Sequence, residues 1–259
     1  MIHIIPICNS IQDYINIPQN ALISYAWKEL DLDYFLFLPL LFLLGLGLGF
    51  NGLINLGTGE SYLQFLVPGI IGMSLLFASI TSGTAVLFDR QFGFLKGIMV
   101  TPNSRTSIVI GRVMRGVTTA VLQSVLIVII SLFIGFHPTI TSATPMALVF
   151  MILIAGTFIS LGLIFGSIIN DFQGFQLVTN FVTLPLFFLS NAIFPLSSLP
   201  WYIQDISYAN PLTYGIDGIR GALTGISTYP MAVDLGVMIV FFAAMVLIAA
   251  YAFNKTYVD

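Results

Sequence analysis

The sequence predicts an all-α integral membrane protein with six transmembrane helices, and three observations predict it. Of 259 residues, 58% are hydrophobic and only 7% are charged, whereas a soluble domain carries roughly a quarter charged residues. Six runs are predominantly apolar and near the ~20 residues needed to cross a hydrocarbon core about 30 Å thick. Five of the eight Lys and Arg residues (Arg90, Lys96, Arg105, Arg112 and Arg115) fall in one stretch between two of those runs. Basic residues beside membrane spans are retained on the cytoplasmic side, so this stretch orients the whole chain.

The elements follow in order. Residues 1–33 form a cytoplasmic N-terminal segment. Its apolar start, Ile2 to Ile7, is interrupted by His3 and Pro6 and has no basic flank, so no cleavable signal peptide is expected. Within it, Ala21 to Leu30 has helical apolar spacing with Trp27 beside Lys28 and Glu29, the pattern of an amphipathic helix lying at the membrane interface. Residues 34–259 then form one six-span domain. The spans are Tyr34 to Leu53, Phe65 to Phe88, Gly116 to Phe136, Met146 to Ile169, Leu177 to Phe194 and Ala232 to Phe253. A polar turn, Asn170 to Gly174, separates the fourth and fifth.

With the basic loop inside, alternation puts Asn55 to Glu60 and His137 to Pro145 outside. Both termini are then cytoplasmic, as expected of a multi-pass plasma-membrane protein. Between spans five and six, Pro195 to Gly225 is too polar for a span and too apolar for a loop. It interleaves Pro195, Pro200 and Pro211 with Trp201, Tyr202, Tyr208 and Tyr214. Proline breaks helices and aromatic residues favour the interface, so short re-entrant helices at the outer face are expected.

Several function classes are disfavoured. Eight dispersed basic residues make no phosphate-neutralising stripe, so nucleic acid is not a partner. The single Cys8 excludes an intrachain disulfide and a multi-cysteine metal site. No G-x-x-x-x-G-K-[ST] loop and no His-Glu-x-x-His spacing occurs, so neither P-loop nucleotide binding nor a zincin-type metal site is expected. His3 and His137 read as solvated or interfacial residues. Acidic residues are missing from the span centres, with Asp171 in an inner turn and Asp234 at the end of span six. That argues against an ion-driven carrier.

Small residues recur at helix-packing intervals. Gly156, Ser160, Gly162 and Gly166 do so on span four, and Ser74, Ala78, Thr81 and Ala85 on span two. Close helix approach is their expected use. Polar side chains also mark span three (Thr119, Gln123) and span five (Thr179, Asn180, Thr183, Ser190 and Asn191). Because lipid cannot satisfy them, they face protein or a pathway. Span five is the better candidate translocation surface, since it feeds directly into the re-entrant segment.

Two stretches together resemble ABC-2 type transporter permeases, the membrane subunits of ATP-binding-cassette exporters. The first is Asp89-Arg90-Gln91-Phe92-Gly93-Phe94-Leu95-Lys96-Gly97-Ile98-Met99-Val100-Thr101-Pro102. The second comprises Asn191-Ala192-Ile193-Phe194-Pro195, Leu199-Pro200, Asn210-Pro211-Leu212-Thr213-Tyr214 and Arg220. The likeness extends over nearly the whole chain, with Asp89 standing where the family more often has Glu.

The resemblance implies a homodimeric permease that pairs with two copies of a separate ATP-binding-cassette ATPase. ATP and Mg would sit on that partner, and this chain would carry no cofactor and no catalytic or metal site. Asp89, Arg90, Phe92, Gly93, Phe94, Leu95, Lys96, Ile98 and Pro102 would form the helix that couples to the ATPase. Phe92, Phe94, Leu95 and Ile98 suit apolar anchoring, while Arg90 and Lys96 suit register-setting by charge.

Phe194, Pro195, Pro200, Trp201, Asn210, Pro211, Tyr214, Asp217 and Arg220 would form the outer gate. Asn210 is placed to cap a helix begun by Pro211. Asp217 and Arg220, three residues apart, share a helical face. Apolar, uncharged spans fit export of a hydrophobic drug, lipid or other amphiphile. A polysaccharide or glycolipid exporter with the same topology is the nearest alternative, followed by a non-ABC membrane scaffold or an ion-driven carrier.

Overall fold

The computed structural model describes residues 32–49, 61–84, 87, 105–139, 142–196 and 199–256. Its chain divides into two compact units, Met1–Tyr34 and Phe35–Asp259. The first is described only from Leu32, so the interfacial helix expected at residues 21–30 lies outside the described residues.

Every regular element described is helical. α1 (Leu32–Phe42) contains Pro39 and continues as a π-helical stretch, Leu43–Leu48. α2 (Tyr62–Thr81), α3 (Arg105–Ile134) and α4 (Thr144–Ile168) follow. Then come α5 (Phe172–Phe188), the short α6 (Trp201–Tyr208) and α7 (Pro211–Thr224). α8 (Met231–Thr256) closes the chain.

Four of these helices contain stretches long and apolar enough to cross a membrane: Tyr62–Thr81, Val113–Ile134, Thr144–Ile168 and Met231–Ala252. The apolar helix Leu36–Leu48 is shorter, as is α5 with its 17 residues. The fifth apolar helix also differs from its expected bounds, starting five residues earlier and ending six earlier. Asp171 explains the start, because its carboxylate accepts from the Gly174 N–H and caps the helix. At the other end Asn191 adopts φ 60°, the left-handed conformation that asparagine tolerates and that turns the chain out of the helix.

α4 is the packing centre, contacting α2, α3, α7 and α8 most extensively and α5 as well. Its small residues set those distances. A Cβ on Gly162 would stand 2.3 Å from the Ile80 carbonyl oxygen, and one on Gly83 would stand 2.1 Å from that of Gly162. Only glycine lets the α2 and α4 backbones meet this closely. Gly156 takes the Phe242 ring of α8 in the same way. Gly156 and Gly162 of the expected span-four face therefore pack helices within the subunit, while on span two the close approach is at Gly83 and Ala85 lies outside the described residues.

Hydroxyls along the apolar helices are mostly satisfied by their own backbone. Thr118, Ser124, Thr157 and Ser160 each donate to the carbonyl four residues earlier, the cheapest partner in a medium without water.

Candidate functional site

The last carbonyls of α5 have no intrahelical donors, so they need others. α7 and its cap supply them. The Asn210 Nδ2 donates to the Leu186 carbonyl at 2.6 Å and the Arg220 guanidinium to that of Asn191 at 2.7 Å, while the Thr213 hydroxyl donates to the Ser207 carbonyl at 2.9 Å. Asn210 and Arg220 thus each serve one carbonyl of the 186–191 turn. A cation at a helix C-terminus also complements the helix dipole.

The local sequence explains why α7 presents this face. Asn210 caps the helix by accepting from the Leu212 N–H at 3.0 Å, and Pro211 occupies the first turn, where its missing N–H costs nothing. Gly225, at φ 80°, ends the helix in the left-handed conformation. Between them, α7 is buried almost throughout.

Arg220 is the hub. It is 4% exposed, lies 3.6 Å from the fully buried Asp217 carboxylate, and stacks 4.0 Å over the Phe65 ring of α2. It also reaches the Phe65 carbonyl at 3.4 Å. Burial lowers its pKa and Asp217 pulls it back up, leaving it at about 10, so the guanidinium stays charged at neutral pH. Asp217 in turn accepts from the Thr228 N–H and hydroxyl and from the Tyr229 N–H, at 2.7, 2.9 and 2.9 Å. The loop after α7 is tied down by that one carboxylate.

The 191–193 turn is held against α2 as well. The Tyr62 hydroxyl donates to the Ile193 carbonyl at 3.2 Å, and a Cβ on Gly69 would stand 2.0 Å from the Ala192 carbonyl oxygen. Three tyrosines close the far side. Tyr214 donates to the Tyr208 carbonyl at 2.9 Å, and Tyr229 packs against both rings. Burial is the main reason that the Tyr229 phenol is pushed up to about 12.

The expected gate residues therefore fall into two groups. Asn210, Pro211, Asp217 and Arg220 are buried within this network, with Tyr214 half-buried at its edge. Phe194, Pro200 and Trp201 are exposed, Trp201 by 75%, while Pro195 is intermediate. α6 packs sparingly, burying only Ser207.

The polar residues of span five also separate. Thr179 and Thr183 lie on the buried face of α5 with Phe175 and Phe187, whereas Asn180 is on an exposed face. Neither threonine hydroxyl has a hydrogen-bond partner among the described residues. Ser190 donates to the Phe187 carbonyl, and the Asn191 Oδ1 accepts from the Leu196 N–H.

Sequence reasoning missed Phe65, Tyr62, Thr213 and Thr228, whose roles exist only across the fold. It also missed the depth of Asp234, which is fully buried in the first turn of α8 with neither carboxylate oxygen hydrogen-bonded among the described residues. Asp89, Arg90, Phe92, Gly93, Phe94, Leu95, Lys96, Ile98 and Pro102 lie outside the described residues. Among the described residues, no cluster of His, Cys, Asp and Glu could hold a metal ion.

An all-helical membrane protein in which buried side chains of α7 and its cap hold the end of α5 is the class this geometry defines. Residues 27–224 match the ABC-2 type transporter family, and the chain belongs to it. It is 32% identical to the inner membrane transport permease YadH of Escherichia coli (strain K12) over 191 residues, 73% of this chain and 74% of the relative. It is 28% identical to Nodulation protein J of Rhizobium leguminosarum bv. viciae over 229 residues, 86% and 88% of the two chains.

Proposed function

We propose that this chain is the permease subunit of an exporter, moving a hydrophobic drug, lipid or other amphiphile outward with energy from a separate ATPase. The observation that carries the reading is the family match across residues 27–224, which spans both the basic loop and the α5–α7 hairpin. Six spans are part of the proposal. α1 with its π-helical continuation and α5 complete the set, tilt and neighbouring protein compensating for their shorter apolar lengths.

Two permeases pair with two ATPase subunits, and ATP and Mg bind there. Arg90 to Met99 forms the coupling helix, with Phe92, Phe94, Leu95 and Ile98 seated in a groove of the ATPase. Both termini are cytoplasmic, which places the 186–229 network at the outer face. Within it, the buried Asn210–Arg220 segment is the fixed frame. The exposed Phe194 and Pro200, with the sparingly packed α6, are the part that yields when cargo leaves.

A second reading, export of a polysaccharide or glycolipid, draws support from the unpartnered Thr179 and Thr183 hydroxyls, which suit a hydrogen-bonding cargo. Both readings share one test. The full chain is co-expressed with its ATPase, and inverted vesicles are assayed for ATP-dependent uptake of a fluorescent amphiphile or a lipid-linked glycan. Combining Arg90→Ala with Phe94→Ala is expected to leave insertion intact and to abolish both ATPase co-purification and uptake. Normal co-purification and uptake in that variant overturns the coupling assignment, and uptake that persists with an inactive ATPase overturns the exporter reading.

A further inference from the structure

α5 turns amide side chains outward. Gln173, Gln176 and Asn180 are all exposed, and none of them is hydrogen-bonded among the described residues. The glutamines of the other described helices are used within the fold. Gln64 donates to the His137 carbonyl, Gln204 donates to the Leu199 carbonyl, and Gln123 is buried.

Gln173 sits in the first turn of α5, where a polar side chain is unremarkable. Asn180 is different. It is the ninth of the seventeen residues from Phe172 to Phe188, roughly 12 Å from either end at 1.5 Å per residue. With α5 as a membrane span, this amide lies at mid-depth, where lipid offers it neither donor nor acceptor. An amide left open by its own subunit at that depth needs cover from outside it.

The residues around Asn180 are spaced for such cover. Gln173, Leu177, Asn180 and Leu184 follow at steps of four, three and four, and at 3.6 residues per turn they share a sector of roughly 60°. All four are exposed, Leu177 by 69%. This is the spacing at which two helices pack side by side as knobs into holes, and one asparagine in such a seam fixes register and helix number. The other face of α5 is already occupied, with Phe175, Thr179, Thr183 and Phe187 buried.

A second copy of α5 meets these demands together. Two copies inserted the same way are related by a two-fold axis along the membrane normal, so their fifth spans run parallel and like residues meet at one depth. An amide carries both donor and acceptor, so Asn180 satisfies its own counterpart. An unrelated helix would have to bring a polar group to that same depth. A passing cargo would satisfy the amide only while it passed.

We propose that the Gln173–Leu184 face of α5 is the two-fold interface of the permease pair, with Asn180 bonded to its counterpart at the axis. The interface rests on the reading of α5 as a span of a paired permease, and its test separates the two.

The full chain, with Cys8→Ser, is co-expressed with its ATPase in membrane vesicles. Gln173→Cys, Leu177→Cys, Asn180→Cys and Leu184→Cys, each made singly, are expected to give disulfide-linked dimers under mild oxidation. Thr179→Cys on the buried face of α5 and Val240→Cys on the exposed face of α8 are expected to give about tenfold less. Adding Asn180→Leu, a side chain at home in lipid, should lower the Leu177→Cys cross-linked fraction severalfold, and Asn180→Gln should keep part of it.

Subunits per particle are counted by single-molecule photobleaching of the same protein in nanodiscs. Two subunits per particle without seam cross-links, or with Val240→Cys linking equally well, overturns the interface and leaves the paired permease standing. One subunit per particle overturns the pairing itself. Unchanged seam cross-linking in Asn180→Leu, with ATP-dependent uptake lost, assigns the amide to cargo and overturns its place at the axis.

Discussion

Arg220 donates to the carbonyl of Asn191 across 29 positions of sequence, at 2.7 Å, where the chain leaves α5 in a left-handed turn. The contact solves a problem that the membrane environment creates. A helix that ends away from water leaves carbonyls without donors, and here a buried cation on a second helix provides one. Asp217 neutralises that cation locally and spends its remaining acceptor capacity on Thr228 and Tyr229. A single i, i+3 pair thereby joins α2, the end of α5, α7 and the loop into α8.

Arg220→Ala leaves the Asp217 carboxylate buried without its cation and the Asn191 carbonyl without its donor. Losing one partner of a buried pair costs ~3–5 kcal/mol. Thermal unfolding of detergent-purified protein should show a large drop in Tm, with Arg220→Lys recovering part of it. An unchanged Tm in the alanine variant would mean that the hub is not structural.

Asn210→Ala removes two bonds at once, the cap on Leu212 and the donor to Leu186. Cap loss costs about 1 kcal/mol, and an orphaned carbonyl costs a further ~1–3 kcal/mol. Asn210→Asp keeps the cap but not the Nδ2 donor, so it should fall between wild type and alanine. If the aspartate and alanine variants melt together, the bond to Leu186 dominates.

Gly162→Leu and Gly83→Leu place a side chain where the α2 and α4 backbones touch. Because backbone cannot move aside as a flexible side chain does, the cost should reach or exceed the ~1–3 kcal/mol of ordinary overpacking. Size-exclusion profiles should show aggregation or lost yield. Gly111→Leu, at a site with nothing within 4 Å, serves as the tolerant control.

Thr183→Val tests whether the unpartnered hydroxyl is there for structure. Removing a buried hydroxyl that makes no bond should leave Tm unchanged or raise it, recovering part of a ~1–3 kcal/mol desolvation penalty. A Tm that falls by more than a few degrees would show that the hydroxyl has a structural partner. With stability retained, reduced uptake would assign the residue to the cargo path.

Much of the fold was legible in the residues because lipid imposes one rule, that every backbone group be satisfied within its own segment. Long apolar runs must then be helices, and α4 and α8 lie close to where their hydropathy puts them, while α2 ends at Thr81 rather than Phe88 and α3 already starts at Arg105 rather than Gly116. The capping of α7 by Asn210 was legible too, since Asn-Pro carries its own local chemistry. The bounds of α5 were not. Hydropathy runs on through Asn191 to Phe194, and the end is decided by a turn that needs Arg220 from another helix.

Span five shows the same divide within a single helix. Composition groups Thr179, Asn180 and Thr183 as one polar stripe, but 3.6 residues per turn and one packed face put Asn180 on another side. Likewise, the Asp217–Arg220 pair is readable from i, i+3 spacing, while the Phe65 ring beneath the guanidinium is 155 positions away.

By itself, the sequence determined a helical membrane protein of the ABC-2 type, the Asn210 cap, and Gly156 and Gly162 as places where helices approach closely. Those properties depend on composition, periodicity and neighbours within one turn. Only the tertiary structure decided which carbonyls Asn210 and Arg220 serve and that Asn210 to Thr224 is almost wholly buried while Phe194, Pro200 and Trp201 are exposed. Such choices are settled where backbone groups deprived of water must find donors on elements far away in the chain.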